Sequence, residues 1–213
     1  RDPEMSRGLG DVYKRQEQNN YKCIQYSDTL MQEALKLKND KYASLAAYYH
    51  LLYYYNRSEQ DSVAKWIVRM EPYVQRSGLW DYFFDAQRFQ IDLYTFTEQY
   101  ELAISEANKM KQKALNTNSN RGTVAAYQCL SNAYIGSQRW DEGLKALEEA
   151  YRLLPKKGNA VVHISVLSQL ISVTKEMKDN NRQLKYLQEL ESVLRKFIID
   201  NPSLNCLLYT SPS

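Results

Sequence analysis

The sequence predicts an all-α fold in which antiparallel helix pairs stack in a row. Two observations carry this prediction: a sequence repeat of about 40 residues and apolar spacing typical of helices within each repeat. A third is the lack of period-two alternation over the length of a strand. Its one short fragment, residues 161–166, continues into helical spacing and is interpreted as helix.

The repeat appears when residues 48–67, 87–106 and 127–146 are aligned. Two sets of residues then superpose at steps of 39 and 40: Tyr55, Tyr94 and Tyr134, and Ala64, Ala103 and Gly143. Helical spacing is clearest in the third repeat, where steps of 4, 3, 4 and 3 separate Trp140, Leu144, Leu147, Tyr151 and Leu154. Each repeat therefore holds two amphipathic helices.

Apolar periodicity, together with the short polar segments that separate the periodic stretches, predicts about nine helices in all. Their ranges are 20–38, 41–56, 58–76, 80–97, 99–116, 121–137, 139–154, 159–178 and 181–199. Pro72 falls inside the third helix and predicts that this helix kinks there or ends near Met70, because proline lacks an N–H and clashes with the preceding turn. Pro155 follows Leu154, where a helix is expected to stop.

Both ends of the chain differ from the helical sequence between them. Residues 9–16 can be encoded by DNA whose complementary strand, shifted by one base, encodes residues 206–213. This DNA resembles a sequencing adapter attached to both ends of a fragment. We therefore expect residues 1–16 and 206–213 to be non-native tails, and residues 17–205 to form a helical repeat domain truncated at both ends.

Residues 127–155 carry a family signature of aromatic, Leu, small and aromatic residues on a first helix, then aromatic, small, bulky, Ala and Pro on a second. The matching positions are Tyr127, Leu130, Ser131, Tyr134, Trp140, Gly143, Leu147, Ala150 and Pro155. This segment resembles the tetratricopeptide repeat (TPR). The resemblance implies a right-handed superhelical α-solenoid. The unit at 87–115 departs from it, since Gln90 and Ile91 stand where Leu and a small residue belong.

The repeat pattern itself predicts a packing scheme, and the resemblance implies a binding groove. Small residues at 64, 103 and 143 let the second helix approach the first, and the equivalent tyrosines fill the space between adjacent pairs. First-helix residues on the opposite face line a concave groove that binds a partner protein or peptide. By register, the groove candidates are Tyr49, Tyr53, Arg57, Arg88, Asp92, Phe96, Gln128, Asn132 and Gln169. Of the basic clamp that grips a terminal carboxylate in some members, only Asn132 fits.

Other function classes lack support in the composition. Lys and Arg number 28 and Asp and Glu 25, a formal net charge of +3 without a basic cluster, so nucleic acid is not an expected partner. No apolar run approaches the ~20 residues of a membrane span, so we expect no membrane contact by this segment. His50 and His163 lack neighbours with metal-ligand spacing, and the glycines are scattered. We expect no metal, no cofactor and no catalytic residue.

Three functional hypotheses follow. The first is a non-catalytic scaffold that binds a protein or peptide on the concave face. The second is the sensory or regulatory input region of a larger bacterial signalling protein, either a histidine kinase or a transcriptional regulator. The third is an array that flanks an enzyme domain. End repeats normally need a polar cap, so self-association through exposed end repeats is a further expectation.

Overall fold

A computed structural model describes residues 21–155 and 160–200. Over these ranges the chain is helical throughout, with no strand, and the predicted all-α class is confirmed. The helices are α1 (21–36), α2 (Asp40–Tyr55), α3 (Gln60–Ser77), α4 (Trp80–Phe96), α5 (Tyr100–Asn116), α6 (Asn120–Gly136), α7 (Trp140–Leu153), α8 (Ala160–Glu176) and α9 (Asn180–Asp200). The predicted tails, 1–16 and 206–213, lie outside the described residues.

The sequence predicts that the third helix either kinks at Pro72 or ends near Met70, and the second alternative is wrong. Helix α3 does not end near Met70 but continues through Pro72 to Ser77. Pro72 lies on the exposed side of the helix, and Val68, whose carbonyl loses its partner there, is 72% exposed. Water can satisfy that carbonyl, so the missing hydrogen bond costs too little to end the helix.

The connections between helices repeat one backbone conformation. A residue with positive φ stands at steps of 20 residues along the described chain: Lys38, Ser58, Gly78, Glu98, Asn118 and Gln138, and again at Lys178. At Asn118 and Gln138 the next N–H reaches back to a carbonyl five residues earlier, Ser119 to Ala114 and Arg139 to Tyr134 (both 2.8 Å). This is the Schellman motif, which ends one helix and turns the chain within three residues.

The residue after each positive-φ position serves as the N-cap of the next helix. Asn39 accepts a hydrogen bond from the Tyr42 N–H, and Ser119 accepts one from the Gly122 N–H. Such caps satisfy amide groups that the first turn leaves free. At Asn39 and Ser119 the turn and the cap together make a tight hairpin between antiparallel helices.

The chain divides into two compact units, one up to Thr97 and the other from Glu98. In the first unit, α2 packs on α3, and α4 packs on both. Its largest fully buried side chains are Leu51, Met70, Phe83, Phe84 and Ile91. The Tyr55 ring of α2 lies 4.5 Å from the Phe89 ring of α4, as predicted for a tyrosine between adjacent pairs.

In the second unit, each helix from α5 to α9 packs on the next. Its core between α7, α8 and α9 is built from Leu147, Val166, Leu167, Leu170 and Tyr186. Gly143 of α7 faces α6 so closely that a Cβ there would lie 2.7 Å from Ile135 Cγ1. A small residue at this position does let the second helix approach the first, as the repeat pattern predicts.

Candidate protein-binding surfaces

Helix α2 contributes a run of tyrosines to one face of the first unit. Tyr49 is 42% exposed, and its ring contacts the Tyr48 ring edge-on at 6.0 Å. Tyr48 in turn contacts Tyr82 of α4 at 5.1 Å. Three of the tyrosines are therefore linked ring to ring from α2 across to α4.

The end of α2 adds a cation to this face. The Arg57 guanidinium lies 5.6 Å from the centre of the Tyr53 ring and donates a hydrogen bond to Glu59 at 2.8 Å. Tyr53, half-buried, packs edge-on against Tyr54 at 5.1 Å. The predicted residues Tyr53 and Arg57 are thus in contact, and the charge of Arg57 is already paired.

Helix α4 presents a stripe in which aromatic and acidic side chains alternate. Steps of 3, 4, 3 and 4 separate its members, and none of them is fully buried: Tyr82, Asp85, Phe89, Asp92 and Phe96. We call this the α4 stripe. Residues at such steps share one side of a helix. Phe89 is its centre, since its ring contacts both Tyr48 (6.3 Å) and Tyr55 (4.5 Å) of α2.

Charge on the α4 stripe is held in a half-buried setting. The Arg88 guanidinium lies 5.2 Å from the Phe89 ring and 4.0 Å from an Asp85 oxygen, and its buried Nε has no hydrogen-bond acceptor among the described residues. Burial raises the pKa of Asp92, and the charge of Arg88 only partly opposes this rise. Burial also raises the pKa of Tyr55, with a further contribution from the Asp92 carboxylate. Tyr55, Arg88 and Asp92 therefore form one electrostatic cluster.

The second unit brings its predicted groove residues together through amide hydrogen bonds. Gln128 of α6 donates to Gln169 of α8 at 2.8 Å, and Gln169 donates back to Asn132 of α6 at 3.4 Å. Gln128 also lies 3.3 Å from the Ser165 hydroxyl. This amide ladder is uncharged, and its outermost member, Asn132, is exposed. It offers donors and acceptors suited to a peptide backbone.

Sequence reasoning missed part of the first surface. It proposed Arg88, Asp92 and Phe96, which are spaced by four, but omitted Tyr82, Asp85 and Phe89. A strict step of four drifts around a helix, whereas alternating steps of three and four stay on one side. The alternation of aromatic and acidic residues from Tyr82 to Phe96 was the signal that could have found the stripe.

The buried histidine of α2 has a packing role among the described residues. His50, 2% exposed, is stacked 4.0 Å from the Trp66 ring and bonded to Asp28 of α1 at 2.7 Å, so it joins helices together. Within residues 21–155 and 160–200, no group of three potential metal ligands is close enough to hold an ion. No helix in these ranges is both long and apolar enough to cross a membrane.

Comparison with known proteins finds likeness only at the level of solved structures. No protein-family model matches the sequence, and a search of curated proteins also finds no match. Among solved structures, the chain is similar to a protein described as "MamA RS-1 ArsTM double mutant". The two chains share 16% identity with a TM-score of 0.47, over 82% of this chain and 96% of that one.

Proposed function

We propose that this chain is a non-catalytic, TPR-like scaffold that binds a partner protein or peptide on the faces of its first helices, α2, α4, α6 and α8. The observation that carries the proposal is the set of side chains on these faces. Aromatic rings on α2 and α4, and amides on α6 and α8, stay partly exposed although neighbouring positions are buried. Tyrosine and arginine are frequent anchors of protein interfaces, and stacked helix pairs present long surfaces for recognition.

Site-specific photo-crosslinking tests this function. A photoreactive phenylalanine analogue replaces Tyr49 or Tyr53 on the first-helix face, and Val68, exposed on α3, serves as the control position. In cells that produce the chain, we expect both tyrosine positions to crosslink to the same partner and position 68 to give no such product. Crosslinks of equal yield and identity at position 68, or none at either tyrosine position, would contradict the proposal.

A further inference from the structure

Together with the α4 stripe, Tyr48, Tyr49 and Tyr55 of α2 form what we call the α2/α4 surface. The chemistry of this surface indicates the kind of partner that it binds. We propose that this surface binds a basic segment of a partner, an inference that rests on the proposed scaffold function. An arginine or lysine cation of that segment lies against the rings and pairs with Asp92. Charge complementarity, the aromatic faces and the setting of Asp92 support this assignment.

The charge balance of the surface favours a cation. Its two carboxylates, Asp85 and Asp92, are spaced along the stripe with one guanidinium, Arg88, between them. The other nearby cation, Arg57, already donates a hydrogen bond to Glu59 at 2.8 Å. An acidic partner reaching for Arg88 would meet the carboxylates on either side of it. A basic partner would instead place its cation beside the Asp92 carboxylate.

The setting of Asp92 gives a specific point of attachment. Its carboxylate is half-buried and receives no hydrogen bond from the described part of the chain, and the Arg88 charge acts on it only through space. A buried charge without a hydrogen-bond partner is costly. An incoming guanidinium or ammonium supplies both the charge and the donors, so binding removes a cost that the free protein bears.

The rings supply the second half of the site. Aromatic faces carry negative potential and attract cations, most strongly when the contact excludes water. Tyr49 of α2 and two rings of the stripe itself, Tyr82 and Phe96, remain exposed, at 42%, 38% and 76% respectively. The chain itself already uses this interaction twice here, with Arg57 over Tyr53 and Arg88 over Phe89. Arginine suits the surface better than lysine, because its flat guanidinium can stack on a ring while it donates to a carboxylate.

Selection of peptides from a random display library, with the full chain as bait, tests this inference. We expect the selected peptides to be enriched in arginine and lysine, and their binding to weaken as salt is raised. In fluorescence polarisation with a selected peptide, Asp92→Asn should bind ~10-fold more weakly, the order of one charge-assisted hydrogen bond. The matched control Glu33→Gln, which removes an exposed carboxylate on α1, should bind like the wild type.

The outcomes separate this inference from the proposed function. Selected peptides that are acidic or uncharged, or basic peptides that bind Asp92→Asn and wild type equally, would overturn the basic-partner assignment. If such peptides still compete with the crosslink at Tyr49, the scaffold function stands. If no peptide is selected and no partner crosslinks, both proposals fail. Thermal melting of Asp92→Asn shows that a loss of binding is not a loss of folding.

Discussion

At the scale of single residues, the turns between helices, which we call joints, hold one residue each in a left-handed backbone conformation that favours glycine. A non-glycine residue with φ near +60° costs roughly 1–2 kcal/mol, because its Cβ crowds the following carbonyl. Lys38, Ser58, Glu98, Gln138 and Lys178 bear this cost, whereas asparagine at 118 tolerates the conformation better. The regular turns are therefore maintained by packing of the helices rather than by local preference.

Gln138→Gly is expected to raise the free energy of unfolding by about 1 kcal/mol, since it relieves the positive φ of 64° at this joint. Asn118→Gly is the control and should produce a smaller gain, because asparagine already adopts this region. Urea denaturation of the two variants beside the wild type measures both effects. Equal gains at the two sites would show that side-chain strain does not distinguish the joints.

Asp92→Asn is expected to stabilise the fold at neutral pH. The folded-state pKa of Asp92 is raised, so the protonated carboxyl is favoured in the folded protein, and its stabilising contribution is complete below the unfolded pKa of 3.8. That contribution is lost as the pH rises through the folded-state pKa. The variant should therefore unfold at a higher urea concentration than the wild type at pH 7, and the difference should shrink as the pH falls through the raised folded-state pKa towards 3.8. A difference independent of pH would contradict burial as the cause.

At the scale of helices, close contact between paired elements depends on particular small residues. Gly143 sits where a Cβ would lie 2.7 Å from Ile135 Cγ1 and 3.4 Å from the Ser131 carbonyl oxygen of α6. The side chain can shift, but the carbonyl is part of the α6 backbone. A larger residue must therefore push α7 away from α6 or force Ile135 into another rotamer.

Gly143→Val is expected to destabilise the second unit by ~1–3 kcal/mol through overpacking. Adding Ile135→Ala should restore part of the loss, because it removes the atoms that valine would meet. Thermal melting of the single and double variants measures this coupling. If the two effects simply add, the contact between positions 143 and 135 does not limit the approach of these helices.

Helices α7 and α9 are joined by a reciprocal pair of hydrogen bonds. The Tyr151 hydroxyl of α7 donates to Glu189 of α9, and the Tyr186 hydroxyl of α9 donates to Glu148 of α7 at 3.1 Å. Burial, together with these carboxylates, raises the pKa of each tyrosine to about 12. Both hydroxyls must keep their protons for α9 to stay joined to α7 in this way.

We expect the packing of α9 to weaken between pH 10 and about 12. Because both folded-state pKa values are raised, the stability from these protons is complete below pH 10 and is lost as the pH rises to the folded value. Tyrosinate absorbance should show a late component that shrinks in the double variant Tyr151→Phe/Tyr186→Phe, while the contribution of Tyr55 remains. An unchanged late component would assign the raised pKa values to other tyrosines.

The helices show most clearly how much of the structure could be predicted from the sequence. Spacings of three and four residues, with polar residues between them, predicted the positions of all nine described helices, because these features reflect burial directly. The joints at Lys38, Glu98 and Gln138 could not be foreseen, since these residue types do not favour positive φ. Similarly, the register of the TPR resemblance led to Arg88 and Asp92 but not to Phe89, whose role depends on contacts with α2.

At the scale of the whole molecule, one outer helix of the second unit keeps an apolar side unburied. Helix α9 directs Tyr186, Leu190 and Val193 into the core, yet Leu184 and Leu187 remain exposed, together with Leu194. Exposed leucines at steps of three and seven lie on one side of a helix.

We therefore expect the chain to self-associate in solution through this side of α9. Sedimentation velocity should show the mean mass rising with protein concentration. The double variant Leu184→Ser/Leu187→Ser should remain monomeric, while Val68→Ser, which removes an exposed apolar side chain of α3, should behave like the wild type. A wild type that stays monomeric at every concentration would contradict this expectation.

The regular spacing of the joints also bears on how such a chain evolves. Because equivalent turns recur every 20 residues, tandem duplication or unequal crossover of a two-helix cassette would rejoin the chain at backbone it already contains. The chain can then gain or lose whole two-helix cassettes without needing a new type of turn. Each copied cassette would be free to acquire its own surface chemistry, as the ring-and-carboxylate face of α4 and the amide face of α6 already differ.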